Sequence, residues 1–205
     1  MAVKAGTYRG MSAEQRRTER RSRLLDATLE VWGREGGPPV TMTRICVEAG
    51  LTERYFYESF DGLDAALIAV MDGIADEIEE RTVTVLDRAA GGPAERVRAG
   101  IGEFIRILTE DPRKGRVTIV ESMAVEALRV RRAELLRRFA DLAAHEAREL
   151  YGLEAWSEPE GQMVATMFIG GVAELVTGWI EGTVEANPEQ IADAAAHHFV
   201  ATAHR

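Results

Sequence analysis

Cysteine is almost absent from this chain of 205 residues, which contains only Cys46. A single cysteine excludes an intramolecular disulfide and a cysteine-rich metal site. Because Cys46 lies within an apolar helical pattern, we expect a small buried side chain rather than a redox sensor. The four histidines show no metal-ligand spacing, since adjacent histidines diverge on a helix. We therefore expect no metal ion, no cofactor and surface positions for His145, His197, His198 and His204.

Catalytic signatures are missing as well. The chain has no glycine-rich phosphate loop, no HExxH pair and no serine-elbow motif, so we do not expect an enzyme. The first ten residues, MAVKAGTYRG, lack the apolar core of a signal peptide. We therefore expect the protein to stay in the cytoplasm.

Long apolar runs are scarce, and only residues 163–180, MVATMFIGGVAELVTGWI, reach the length of a membrane span. Glu174, several glycines and the absence of basic flanks favour a helix buried in protein. Apolar residues lie nearly all round this helix, so both of its sides need to be covered. We interpret it as the subunit interface of a homodimer, with no membrane partner.

Alternating strand patterns are absent, whereas helix signals recur along the whole chain. The sequence therefore predicts an all-α fold of nine helices, with glycines and prolines mostly at the joints. The third helix is predicted to run through Phe60. Predicted capping residues at helix starts are Ser12 with Gln15, Thr41, Thr52, Asp61, Ser157 with Glu160, and Asn187 with Gln190.

The charge is unevenly distributed, although the net charge of −9 argues at first against a nucleic-acid partner. Residues 1–60 contain ten Lys and Arg against eight Asp and Glu, whereas residues 61–205 contain 15 against 26. The first part is therefore net +2 and the second net −11. A basic run of Arg16, Arg17, Arg20, Arg21 and Arg23 is expected to face phosphates, although a solvated helix face is the alternative.

Residues 41–60, TMTRICVEAGLTERYFYESF, place two short helices on either side of a glycine. This arrangement predicts a helix-turn-helix, whose second helix enters the DNA major groove. Such a corner also occurs for packing reasons alone, but here the polar residues share the outer face. The predicted inner face is apolar and consists of Ile45, Ala49, Leu51, Phe56 and Phe60.

Over about its first third, the chain resembles the tetracycline-repressor (TetR) family of bacterial transcriptional regulators. The resemblance is carried by LLDATLEVWGREGG at 24–37 and TMTRICVEAGLTERYFYESFDGLDAAL at 41–67. It implies a three-helix DNA-binding head joined by a long fourth helix to a C-terminal helical bundle. The implied boundaries are a basic arm at 1–15, a DNA-binding domain at 16–78 with its motif at 41–60, and a ligand-binding and dimerisation domain at 79–205.

The resemblance also implies a homodimeric regulator, most often a repressor, that binds an inverted-repeat DNA operator and responds to an effector. Two positions depart from the family pattern. Leu63 replaces the usual lysine at the start of the fourth helix, and Ser59 replaces a common histidine. Lys4 and Arg9 in the arm are candidates to compensate by neutralising phosphates.

The predicted DNA-binding residues are Thr41, Thr43, Arg44, Thr52, Glu53, Arg54, Tyr55, Tyr57 and Ser59. Arg54 is the first choice for base reading, because a guanidinium binds guanine O6 and N7 with two bonds. Glu53 is expected either to accept from cytosine N4 or, as we favour, to orient Arg54. Tyr57 is preferred over Tyr55 for a phosphate or sugar contact.

The second part of the chain contains methionine and aromatic residues that could line a cavity, although core packing is the favoured explanation for each of them individually. An apolar or amphipathic small-molecule effector is expected, with a carboxylate favouring a cation or hydrogen-bond donor. The candidate residues are Phe104, Met123, Met163, Met167, Phe168 and Glu174. The alternative function is a helical ligand-binding or adaptor protein that has lost specific DNA binding.

Overall fold

The computed structural model describes residues 12–34, 36–37, 39–123 and 125–205, and this part of the chain contains nine α-helices and no β-strand. The predicted all-α fold is therefore confirmed. Lys4 and Arg9 of the predicted arm lie outside the described residues. The helices are α1 Ala13–Gly33, α2 Met42–Ala49, α3 Glu53–Tyr57, α4 Leu63–Arg88, α5 Pro93–Glu110, α6 Pro112–Gly115, α7 Glu126–Tyr151, α8 Glu160–Ile180 and α9 Pro188–Thr202.

Three predicted helix caps are confirmed by their hydrogen bonds. The Ser12 hydroxyl accepts from the Gln15 backbone N–H, and the Gln15 side chain accepts from the Ser12 N–H. Asn187 and Gln190 form the same reciprocal pair at the start of α9. At the start of α2, the Thr41 hydroxyl accepts from the Arg44 N–H at 3.3 Å. Each cap satisfies donors that a helix terminus leaves unpaired.

Two predictions about α3, one about α4 and one about α8 are wrong. Thr52 precedes α3, but its hydroxyl makes no capping bond. Instead its carbonyl accepts from the Tyr55 N–H at 2.9 Å, because this short helix begins with a tight turn. The helix ends at Tyr57 rather than Phe60. Helix α4 begins at Leu63, two residues after the predicted cap Asp61, and the Gly62 carbonyl accepts from its first turn. Helix α8 begins at Glu160 directly after Pro159, and the predicted capping box of Ser157 and Glu160 does not form.

The described chain forms two compact units, which divide between Asp72 and Gly73 inside α4. We call them the N-terminal unit and the C-terminal unit. The predicted domain border at residue 78 lies in the same helix. The core of the N-terminal unit is made by one face each of α1, α2 and α3, the segment after α3 and the first turn of α4. It consists of Leu24, Ala27, Ile45, Cys46, Ala49, Phe56, Phe60 and Ala66.

The C-terminal unit packs α5 against α9 and α7 against α8. Its core is rich in alanine, which allows the helices to approach closely, with larger side chains such as Ile105, Phe168 and Phe199 between them. A π-helical turn at Arg116–Val120 and a 3₁₀ turn at Glu121–Met123 precede α7.

An ion-pair network connects α4 to α5 within the C-terminal unit. Glu103 is only 7% exposed and accepts from Arg81 Nε at 2.5 Å and from Arg106 Nε at 2.9 Å. Arg81 also donates to Glu77 at 3.0 Å and to Glu110 at 2.9 Å. Burial alone would raise the pKa of Glu103, but the hydrogen bonds from Arg106 and Arg81 outweigh it and lower the pKa below 4.5. The carboxylate therefore stays ionised and paired.

Candidate nucleic-acid interface

The corner between α2 and α3 is built around Gly50, which adopts the left-handed conformation with φ 60° and ψ 39°. Only glycine adopts this conformation without strain, and it allows the chain to reverse direction at the end of α2. The Leu51 N–H donates back to the Cys46 carbonyl at 2.9 Å and closes the turn. Ile45 and Phe56 are fully buried inside the corner, so the predicted inner face is confirmed.

Burial and the neighbouring carboxylate of Glu53 both raise the pKa of Cys46. The thiol is therefore protonated and unreactive at neutral pH, as expected for a small buried side chain.

Arginines of the basic run on α1 contact the corner between α2 and α3. Arg23 donates to the Ala49 carbonyl at 2.5 Å, and Arg17 donates to the Glu58 carbonyl at 3.2 Å. The Arg21 guanidinium lies 4.9 Å from the ring centre of Phe60. These contacts satisfy carbonyls that helix ends leave without partners. Arg17, Arg21 and Arg23 are also exposed, so the expectation that the run faces phosphates stays a prediction.

The outer face of α3 is exposed and polar. Arg54 has 84% of its side chain exposed, and Thr52, Glu53 and Tyr57 are also exposed. Because α3 rests on the buried Phe56, these four side chains project away from the core. The arrangement presents hydrogen-bond donors and an aromatic ring on the helix that the corner holds outward.

Two of the predicted α3 residues are partly buried instead. The Arg20 guanidinium covers the ring of Tyr55 at 4.5 Å from its centre. The Ser59 hydroxyl donates to the Tyr55 carbonyl at 2.9 Å. Both side chains are engaged within the unit, which agrees with the preference for Tyr57 over Tyr55 as an outward-facing residue.

The predicted α2 residues lie beside α3. Thr41 serves as the cap of α2, Arg44 is exposed, and the Thr43 hydroxyl donates to Glu53 at 3.2 Å. The preferred role of Glu53 as the partner of Arg54 is wrong. Glu53 contacts Thr43, whereas Arg54 Nε donates to Glu58 Oε1 at 3.0 Å.

Glu58 is a site residue that the sequence reasoning missed. The spacing of Arg54 and Glu58, four residues apart, indicates neighbours on one helix face and could have revealed their contact. The second contact of Glu58, a 3.9 Å approach to Arg20 of α1, depends on the packing of two helices. No local pattern reveals such a contact.

The six predicted ligand-binding residues do not line one cavity. Phe168 is buried and borders a cavity of about 20 Å³ among α7, α8 and α9, which has room for about one water molecule. Phe104 packs against the core, whereas Met123, Met163, Met167 and Glu174 are exposed. Glu174 is turned outward on α8, so its expected partner, a ligand group or a second subunit, stays a prediction.

The described residues do not include a cluster of potential metal ligands. No group of three His, Cys, Asp or Glu side chains lies close enough to hold an ion. His145, His197 and His198 are exposed, and His204 is half-buried with its ring 4.4 Å from that of Tyr151.

Known proteins resemble the chain in both sequence and structure, although no family model matches it. Over 175 residues it is 27% identical to the HTH-type transcriptional regulator BetI of Rhizobium meliloti, covering 84% of this chain and 82% of that protein. FadR of Bacillus subtilis in complex with stearoyl-CoA has a TM-score of 0.72 at 19% identity, covering 86% of this chain and 95% of FadR. A tetR-family transcriptional regulator of Streptomyces coelicolor also has a TM-score of 0.72, at 18% identity, covering 93% of this chain and 81% of that chain.

The chain has the TetR-family fold. The predicted resemblance to that family is thereby confirmed, and it extends beyond the first third of the sequence on which it was based. These relatives are named as transcriptional regulators, which supports the expectation that the chain is not an enzyme.

Helix α8 also has the length and composition of a membrane-crossing segment. Within the structure, 28% of its most apolar window is buried, by contacts with α7 and α9. The exposed remainder includes Met163 and Met167. A large part of this helix therefore presents apolar surface outward.

Proposed function

We propose that this TetR-fold chain is a DNA-binding transcriptional regulator and that α3 is its recognition helix. The observation that carries the proposal is the exposed polar face of α3, which includes the 84% exposed side chain of Arg54, on a corner buried at Ile45 and Phe56. Recognition helices of helix-turn-helix proteins contact base edges with their N-terminal residues. Arg54 is the second residue of α3.

Different side chains supply affinity and sequence preference. Arg54 reads a guanine, while Tyr57 and Thr52 contact the sugar-phosphate backbone beside it. Thr43 and Arg44 of α2 are further backbone contacts, since both are exposed on the same corner. Thr41, Tyr55 and Ser59 support the interface indirectly, because their polar atoms or rings contact neighbouring parts of the unit.

The proposed functional form is a homodimer joined through α8. Met163 and Met167 are 56% and 72% exposed. The exposed Gly170 and Gly171 continue this face, and a Cβ at either glycine would meet no atom within 4 Å. A patch of exposed apolar side chains next to small residues favours close packing against a second helix. Two-fold symmetry of the protein implies an inverted repeat in the operator.

The regulator is proposed to be a repressor that an apolar or amphipathic small molecule releases. The FadR relative contains stearoyl-CoA, whereas the cavity beside Phe168 measures about 20 Å³ in this chain. Ligand sites usually measure roughly 300–1,000 Å³, so a ligand at this cavity requires the helices around it to separate. An effector that weakens operator binding must itself bind less tightly in the presence of operator, by the same factor.

Selection from a library of random duplex DNA with the full chain tests this function. We expect enrichment of an inverted repeat whose half-sites have centres about 34–36 Å apart, or a multiple of that distance. Sedimentation of the same protein should give twice the chain mass of 22.6 kDa. Failure to enrich any sequence would favour a helical ligand-binding or adaptor protein. A regulator of this kind acts where the DNA is, so the proposal includes a cytoplasmic location.

A further inference from the structure

The exposed Arg54 pairs with the carboxylate of Glu58, the residue that follows the last residue of α3. Arg54 Nε donates to Glu58 Oε1 at 3.0 Å. The Arg54 side chain is 84% exposed and that of Glu58 is 38% exposed. A pair this exposed contributes little to folding stability, typically about 0–1 kcal/mol. The main effect of the pair is therefore on the position of the Arg54 guanidinium.

Glu58 also contacts two arginines of α1. Its second carboxylate oxygen, Oε2, lies 3.9 Å from an Arg20 nitrogen, and its backbone carbonyl accepts from Arg17 at 3.2 Å. Arg20 in turn lies over the ring of Tyr55, at 4.5 Å from the ring centre. Glu58 is therefore tied to α1 through its backbone and through Oε2, while Oε1 accepts from Arg54.

We infer that Glu58 is a positioning residue that holds Arg54 in the orientation needed to read a base. The inference deepens the proposed function and depends on it. The bond to Glu58 uses Nε, so the two terminal nitrogens of Arg54 stay available for the two parallel bonds that guanine O6 and N7 accept. Holding the long arginine side chain before binding reduces the conformational freedom that is lost on the DNA.

The carboxylate of Glu58 has a second, opposite effect. A negative charge on the DNA-facing unit repels the phosphates of every sequence to a similar extent, so it lowers overall affinity. Positioning, in contrast, favours only the sequence that Arg54 reads. Glu58 should therefore increase the preference for the cognate base pair while weakening binding to all DNA.

The test measures dissociation constants of the full chain for its selected site and for the same site changed at the base pair whose preference Arg54→Ala abolishes. A good two-bond contact corresponds to roughly five- to 150-fold discrimination in the wild type. Glu58→Ala is expected to lower this ratio about two- to fivefold, the range for an exposed ion pair. Glu58→Gln should lower it less, because its amide oxygen still accepts from Nε.

Two controls separate positioning from charge. Glu48→Gln removes one negative charge from an exposed position on the same unit and should leave the ratio unchanged. In an Arg54→Ala background, Glu58→Ala should have no further effect on the ratio, since it acts through Arg54. Melting temperatures of the variants confirm that each is folded.

The outcomes distinguish this inference from the proposed function. An unchanged ratio in Glu58→Ala, with tighter binding to both duplexes, would show that Glu58 is only a repulsive charge and would overturn the inference alone. An effect of Glu58→Ala that persists without Arg54 would overturn it as well. Failure of the wild-type chain to select any DNA would overturn the proposed function and the inference with it.

Discussion

Three arginines of the N-terminal unit have partners of a different kind from those of Arg81 and Arg96 in the C-terminal unit, although Arg34 and Arg54 of the N-terminal unit also form ion pairs. In the N-terminal unit, Arg17 and Arg23 donate to backbone carbonyls and Arg21 covers an aromatic ring. In the C-terminal unit, Arg81 and Arg96 bind nearly buried carboxylates, those of Glu103 and Glu146. Contacts to carbonyls and rings leave the positive charge uncompensated, whereas ion pairs neutralise it.

This difference explains why the net charge of the chain is a poor guide to its partner. Residues 1–60 are net +2 and residues 61–205 are net −11. A polyanion is attracted to the local potential of the surface it meets and less to distant charges, which salt screens beyond about 8–10 Å. Residues 1–60, which contain the corner between α2 and α3, therefore remain suited to DNA, although Asp61, Asp64 and Asp72 bring the N-terminal unit to net −1 and the whole chain is acidic.

The largest expected effect concerns the small core of the N-terminal unit. Phe56→Ala removes a fully buried ring whose centre lies 5.5 Å from that of Phe60 and 5.9 Å from that of Tyr57. The substitution should lower the free energy of unfolding by about 3–5 kcal/mol. Hydrogen exchange is expected to accelerate in α2 and α3, since a unit of this size has little stability to lose. Val47→Ala is the control, because Val47 is 76% exposed. Equal exchange in the two variants would contradict this view of the corner.

A smaller loss is expected in the C-terminal unit from Glu103→Gln. The amide cannot accept two charge-assisted bonds as strongly, so Arg81 and Arg106 lose their shared partner, at a cost of about 1–3 kcal/mol. Urea unfolding followed by circular dichroism measures the loss. Glu185→Gln, at an exposed position, should change the stability by less than about 0.5 kcal/mol.

The same network makes a prediction about pH. Because the pKa of Glu103 is lower in the folded chain than its ordinary value of 4.5, its contribution is fully present above pH 4.5. It is lost as the pH falls through the folded pKa, when the unfolded chain has already bound the proton. Stability should therefore fall less steeply below pH 4.5 in Glu103→Gln than in the wild type. Parallel curves would show that Glu103 does not contribute to acid unfolding.

The smallest effect compares two glycines with the same backbone strain. Gly50 and Gly36 have φ values of 60° and 62°, and alanine in this conformation costs about 1–2 kcal/mol. A Cβ on Gly50 would also lie 3.3 Å from an Arg23 nitrogen, whereas a Cβ on Gly36 would meet no atom within 4 Å. Gly50→Ala should lower the melting temperature more than Gly36→Ala. Equal shifts would mean that Arg23 moves aside freely.

Local patterns predicted the N-terminal unit well because its corner depends on residues close in sequence. The Thr41 cap, the Gly50 turn and the burial of Phe56 each follow from neighbours within a few positions. The contact of Arg17 with Glu58 joins residues 41 apart, and nothing in either neighbourhood indicates it. The exact length of α3 was also missed, since a helix of five residues is decided by packing as much as by its own sequence.

The C-terminal unit was predictable only as a set of helices. Periodic apolar residues indicate a buried face but do not tell which other helix covers it. Phe168 and Met167 are adjacent in the sequence, yet one lies in the core and the other is exposed. The grouping of six residues as one ligand site relied on residue type alone, and residue type does not tell whether a side chain lies in the core or on the surface.

The proposed reading of DNA by α3 is tested most directly by repeating the binding-site selection with Arg54→Ala beside the wild type. Arg54 is expected to discriminate against the wrong base pair by about 1–3 kcal/mol. The wild type should enrich an inverted repeat with a guanine at one position of each half-site. Arg54→Ala should keep the other positions and lose the preference at that one. An identical enriched sequence from both proteins, whatever their overall affinities, would contradict the assignment of Arg54 as the base-reading residue.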